Sequence, residues 1–154
     1  MQQDLATRYP LVLVPGMLGF VRMVLYPYWF GIVPALRKGG AQVFPVQVSP
    51  LHSSEVRGEQ LLAIIDDICQ RTGVDKVNLI GHSQGALSAR YAAAKRPERV
   101  ASVTSVAGPN HGSELADHLE RTAPGHSPQG RVLKAVLHGF AVLLVWLETG
   151  WRRD

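Results

Sequence analysis

Ser83 sits between two glycines in Gly81-His82-Ser83-Gln84-Gly85, which fits the pattern G-x-S-x-G. A serine held this way can attack a carbonyl carbon once a base takes its proton. The pattern demands a sharp, strained turn from strand into helix that lifts the hydroxyl above a sheet edge. Gly81 and Gly85 then have a steric reason, because a Cβ at either place would collide where strand and helix backbones converge. The amide of Gln84 opens the helix, where the N-terminal dipole favours an anion. Two plainer readings compete. In one, Ser83 is only a helix N-cap and the glycines serve a tight turn. In the other, the stretch is a dinucleotide loop, but that pattern wants glycine where Ser83 stands.

The elements that must hold Ser83 there are legible on either side. Residues 77–80 form an apolar run with β-branched character and read as a buried strand, and a helix-rich stretch runs from Gln84 to its stop at Pro97. Residues 11–14 read as a second buried strand, running into Pro15-Gly16-Met17-Leu18-Gly19-Phe20. A Gly-rich loop of this kind can set a bare N–H beside a neighbouring elbow, so Met17 and Gln84 are the expected oxyanion-hole donors. Without the elbow the same loop would be an ordinary connection.

The rest of the chain supplies the scaffold. Residues 34–38 read as a short helix and 42–48 as a strand made edge-like by Pro45. Ser53-Ser54 opens a longer helix to Thr72, closed by Gly73. Leu61, Leu62, Ile65, Ile68 and Cys69 give its apolar face, and Glu55, Glu59, Asp66, Asp67 and Arg71 read as solvated. Residues 100–106 read as a fourth strand and 115–121 as a further helix. This alternation implies an α/β fold with a mostly parallel sheet and helices on both faces. Both Gly-rich loops then meet at the edge formed by the strand C-termini. The aromatic run 26–30 reads as core and rim packing, or as an apolar wall beside a cleft.

Composition narrows the classes. The 154 residues suit one domain, and 46% hydrophobic against 18% charged residues exclude a disordered chain. The net charge of +4 is scattered, with no basic stripe interleaved with aromatics, which argues against nucleic acid. Cys69 is the single cysteine, so no internal disulfide and no cysteine metal framework is expected. Residues 1–8 show neither a charged n-region nor an apolar h-region, so no secretory signal is visible and the compartment stays open. The segment 132–151 is the most apolar stretch, and its uncharged core, 135–147, is short for a membrane span. It reads as a helix whose surface needs cover from a partner, a lipid interface or the remainder of a larger fold.

A serine nucleophile needs a base and an acid. His111, His118, His126 and His138 follow Ser83, and none has an acid upstream at a strand end. His111 is the one candidate base, because its loop leaves the strand after the elbow. The plainer reading, that His111 organises its own loop, is preferred.

Jointly, 9–20, Tyr28-Trp29-Phe30-Gly31, Ser54 to Leu62, Val77 to Leu87 and Gly108 to Asp117 resemble the Pseudomonas–Burkholderia true lipases, bacterial family I. The resemblance covers residues 9–120 and implies an α/β-hydrolase fold cleaving triacylglycerol and other carboxyl esters. It implies Ser83 as nucleophile, Met17 and Gln84 as oxyanion-hole amides, and a mobile lid beginning after Asp117. Pro15 stands where the family has His. By the same resemblance the catalytic Asp and His and the calcium site belong to a C-terminal half beyond this stretch. The expectation is therefore one partial α/β-hydrolase domain over 1–154, C-terminally truncated, with a lid-like apolar helical tail over 115–154. Such a chain would have no cofactor or metal of its own and weak or absent turnover. Its partners would be lipid or ester substrate, a lipid–water interface, and its own copies through an uncovered sheet edge and apolar tail. The family is usually secreted. The alternatives are a non-catalytic lipid-surface or partner-binding protein, or a chain complemented by another that supplies acid and base.

Overall fold

A computed structural model describes residues 4–16, 22–23, 26–50, 52–122, 124–125, 127–128, 130–132, 135 and 139. These fall into two compact units, Met1–Gly108 and Pro109–Asp154. The first holds a four-stranded sheet. Its strands are β1 (Leu11–Val14), β4 (Val43–Pro45), β5 (Val77–His82) and β6 (Val100–Val106), in the order β4-β1-β5-β6. Every neighbouring pair is parallel. A parallel strand buried on both faces reads as a continuous apolar run, and all four residues of β1 are buried.

The two faces have separate cores. Val12 and Val14 of β1 join Val77 and Leu79 of β5 against helices α2 (Ser54–Thr72) and α3 (Gln84–Lys95), through Leu61, Ile65, Ile68, Ala89 and Ala92. Leu11 and Leu13 point the other way, to Trp29 and to Val33 and Leu36 of helix α1 (Ile32–Lys38). The period-two alternation of β1 thus distributes one four-residue strand between two helical layers. Helix α2 is capped as the sequence indicates: Ser53 Oγ accepts from Val56 N, and Gly73 closes the helix in the left-handed region at φ 70°.

Several bounds differ from the sequence reading. β5 continues through Gly81 and His82, because Gly81 pairs with Val14 and His82 with Val106. β4 stops at Pro45 instead of running to Val48, since proline brings no amide to the ladder, although Val46 and Val48 remain buried. The helix expected at 34–38 begins two residues earlier, after Gly31 at φ 75°. A two-stranded antiparallel ribbon, β2 (Arg22–Met23) with β3 (Tyr26–Pro27), was not signalled by any periodicity.

The second unit contains α4 (Glu114–Thr122), preceded by a turn in which Gly112 N–H donates to Pro109 O at 3.1 Å. Glu114 and Asp117 in its first turn and Arg121 in its last suit the helix dipole. Most of the apolar tail, including 140–154, lies outside the described residues. Among the described residues no helix is long and apolar enough to cross a membrane.

Candidate active site

The serine is built into a strained corner. Ser83 has φ 54° and ψ −129°, a region that costs an L-residue about 1–3 kcal/mol. Ser83 occupies the N-cap position of α3, yet its side chain makes no capping bond, so capping does not explain the residue. The corner is held by backbone: Ser83 N–H donates to Val106 O at 2.9 Å, and Ser83 O accepts from Ala86 N at 3.0 Å. Both flanking glycines are required sterically. A Cβ on Gly81 would lie 2.5 Å from Ala86 Cα, and one on Gly85 would lie 2.5 Å from Pro15 O.

The loop after β1 comes to the same corner. Val14 pairs with Gly81, so the chain two residues further on is level with Ser83. A Cβ on Gly16 would sit 2.8 Å from Ser83 Cβ and 3.2 Å from its Oγ. The expected meeting of the two Gly-rich loops is therefore present. Gln84 is the first residue of α3, where the helix leaves its opening amides without an intrahelical carbonyl. Met17, the other expected oxyanion donor, lies outside the described residues.

Two residues that the sequence reading did not single out hold this corner together. Arg57 of α2 is fully buried. Its Nη2 donates to Pro15 O at 2.5 Å and Gly16 O at 3.1 Å, and its Nη1 to Gln84 Oε1 at 2.6 Å. Gln84 Nε2 in turn donates to His52 O at 3.3 Å. Among the described residues Arg57 has no carboxylate partner, and its Nε makes no hydrogen bond. Burial pulls its pKa below the ordinary arginine value and the nearby Tyr28 opposes that shift, yet a guanidinium stays charged at neutral pH. Tyr28 is the second such residue: its hydroxyl meets Gly16 N–H at 3.1 Å and His82 Nδ1 at 2.5 Å. These contacts tie the loop after β1 to α2 and to the elbow.

A signal for Arg57 existed. It falls on the same stripe of α2 as Leu61, Ile65 and Ile68, so a charge there is a charge inside. Tyr28 was read only within the aromatic run 26–30 and the stretch Tyr28 to Gly31, and its hydroxyl's role gave no local signal, since its partner lies 54 residues away.

Among the described residues no side chain accepts a hydrogen bond from Ser83 Oγ. His111 is exposed and belongs to the second unit, within the turn closed by Gly112 and bridged from Asn110 to Gly112. Among the described residues no group of three or more His, Cys, Asp or Glu converges as a metal site. On the α1 side of the sheet lies an apolar cavity of about 420 Å³ walled by Pro27, Trp29, Phe30, Val33, Pro34 and Pro45, with no elbow residue in its lining. Trp29 is buried, and its ring packs edge-on to His82 at 6.2 Å.

Residues 9–142 match the sequence family described as alpha/beta hydrolase fold. The chain is 54% identical over 119 residues to a triacylglycerol lipase of Pseudomonas fragi, a match covering 77% of this chain and 41% of that protein. It is 45% identical over 144 residues to a triacylglycerol lipase of Vibrio cholerae, covering 94% of this chain and 46% of the relative. The crystal structure of the Bacillus licheniformis lipase BlEst2 in mature form is similar with a TM-score of 0.59 at 26% identity, covering 75% of this chain and 46% of the other. The chain thus spans less than half the length of these relatives.

Proposed function

The chain belongs to the alpha/beta hydrolase fold family, and on that premise we propose that it carries the nucleophile half of a lipase-type carboxylester hydrolase. Ser83 Oγ attacks the ester carbonyl carbon, the bond to the alcohol oxygen breaks, and the serine proton passes through a base to the departing alcohol. Water then cleaves the acyl-enzyme and returns the proton to Ser83. The amides of Gln84 and Met17 are the donors this reading assigns to the negative oxygen that forms. The chemistry calls for no cofactor. The substrates are triacylglycerols and related esters at a lipid–water interface, as the names of the relatives suggest.

The observation that carries this reading is Ser83 at φ 54° with no capping role, set against the loop after β1. Strain of that kind persists only where the surroundings enforce it. No described side chain takes the Ser83 proton, which supports slow turnover by this chain alone. Oxyanion hole and binding without a complete triad leave about 10³–10⁴-fold over water. His111 is the base to test first.

Fluorophosphonate labelling of the chain, with Ser83→Ala alongside, tests the proposal. We expect slow labelling of the native chain and none of the variant. Equal labelling of both would show that Ser83 is not the nucleophile.

The apolar cavity and the 67% exposed Phe30 favour a second reading, in which the chain binds lipid surfaces without turnover. Co-sedimentation with liposomes that survives Ser83→Ala and is lost with Phe30→Asp would support it. We also propose self-association through the β6 side of the sheet, beyond which no strand lies among the described residues.

A further inference from the structure

We propose that Tyr28 is the positioning residue that sets the loop after β1 against the elbow, through two hydrogen bonds made by one hydroxyl. The direction of each bond follows from the groups involved. Gly16 N–H can only donate, so Tyr28 Oη accepts from it at 3.1 Å. The hydroxyl keeps one proton of its own, and His82 Nδ1 lies 2.5 Å away. With Tyr28 donating, Nδ1 is the bare lone pair and the ring proton of His82 sits on Nε2. The other tautomer would aim both Nδ1–H and Gly16 N–H at Oη and leave the hydroxyl proton without an acceptor among the described residues. The order is therefore Gly16 N–H to Tyr28 O–H to His82 Nδ1.

The ends of this chain of bonds are what give it meaning. Gly16 immediately precedes Met17, and His82 immediately precedes Ser83. One hydroxyl thus fixes the spacing between the residue before the expected oxyanion donor and the residue before the nucleophile. Arg57 holds the same Gly16 peptide by its carbonyl, so both polar ends of the glycine are committed. The Tyr28 ring has little freedom to retreat. It packs edge-on against His82 at 5.7 Å and against the buried Trp29 at 5.1 Å. The kinetic consequence rests on the serine-hydrolase reading, whereas the tautomer does not.

The test uses the full chain with ¹⁵N-labelled histidine. Ring-nitrogen NMR near pH 8 reads the tautomer of His82, identified by the signal that His82→Leu removes. We expect Nε2–H in the native chain and a mixture in Tyr28→Phe, which keeps the ring and removes the hydroxyl. In parallel, Tyr28→Phe should slow the limiting rate of Ser83 labelling about tenfold, the worth of a hydrogen bond, with the half-saturating probe concentration unchanged. In a His82→Leu background the same substitution should lose most of its effect.

An Nδ1–H tautomer in the native chain overturns the proposal. So does a Tyr28→Phe chain that keeps the native tautomer and rate. The native tautomer decides the matter even if the variant misfolds. Absence of labelling in a native chain with the expected tautomer counts against the hydrolase reading and supports the Tyr28 link on its own.

Discussion

Arg57 brings a full charge into the interior and, among the described residues, meets only neutral oxygens there. Its fork ties together Pro15 O and Gly16 O of the loop after β1 and the Gln84 side chain of the elbow. A buried acceptor left without a donor costs about 1–3 kcal/mol. Arg57→Met keeps the length and apolar stem but abandons three acceptors, so we expect a loss of about 3 kcal/mol or more. For a chain of this size that is a fall in Tm of about 10 °C, read by thermal denaturation. An unchanged melt would mean water or a neighbour satisfies those oxygens and that Arg57 is dispensable. Arg57→Lys should recover only part of the loss, because an ammonium cannot reproduce the planar fork. At this scale the sequence announced Ser83, Gly81 and Gly85, since their types are dictated by a local backbone conformation. It concealed Tyr28 and left Arg57 readable only as an anomaly in a helical stripe, because their roles come from contacts with distant backbone.

Elements position these residues by close approach, and α2 against α3 is the clearest case. A Cβ on Gly58 would overlap the Tyr91 ring, 2.9 Å from its Cγ. Gly58→Ala should therefore push α3 away or twist Tyr91, at a cost of about 1–3 kcal/mol, although alanine is the better helix former. Urea unfolding decides the sign, and a stabilised variant would show that the ring moves freely. The same seam carries a pH dependence. The Tyr91 hydroxyl donates to Glu59 Oε1 at 2.6 Å and Lys95 Nζ lies 3.1 Å from the same oxygen. The Tyr91 bond first, and Lys95 with it, hold the Glu59 carboxyl below its ordinary value of 4.5. A carboxylate whose pKa is lowered by folding stabilises the fold above its unfolded value, and that contribution is lost as pH falls through the folded one. The Tm difference between the native chain and Glu59→Gln should stay constant from neutral pH down to about 5 and narrow below about 4.5. A difference that does not change with pH would mean the pair is solvent-screened in practice. The strands and long helices were readable from periodicity and capping. The bounds of β4 and β5 were not, because register against a neighbour decides where a strand stops.

At the scale of the first unit, the four-stranded sheet ends in β4 on one side and in β6 on the other. Parallel strands are normally buried on both faces. β6 is the longest strand described and pairs with β5, yet Ala101, Ser102, Thr104, Ser105 and Val106 are exposed. Val100 and Val103 alone turn inward, toward the core under α2 and α3. Among the described residues no strand lies on its outer edge. The matched stretch covers 41% and 46% of two lipase relatives, so most of each relative lies outside the likeness. An uncovered edge with few charges is a template for pairing with another chain. In solution we expect this chain to grow in mass with concentration, above its 16.8 kDa, when followed by light scattering on a sizing column. Placing lysines on the strand, as Ala101→Lys with Val106→Lys, should return it to the monomer mass without loss of helical circular dichroism, since both side chains already face solvent. Growth that persists in the double variant would move the contact away from β6, with the exposed Phe30 and Ile32 around α1 the next surface to alter. A native chain that stays monomeric at every concentration would instead show that the edge is protected within the chain itself, and that its open appearance has no counterpart in solution.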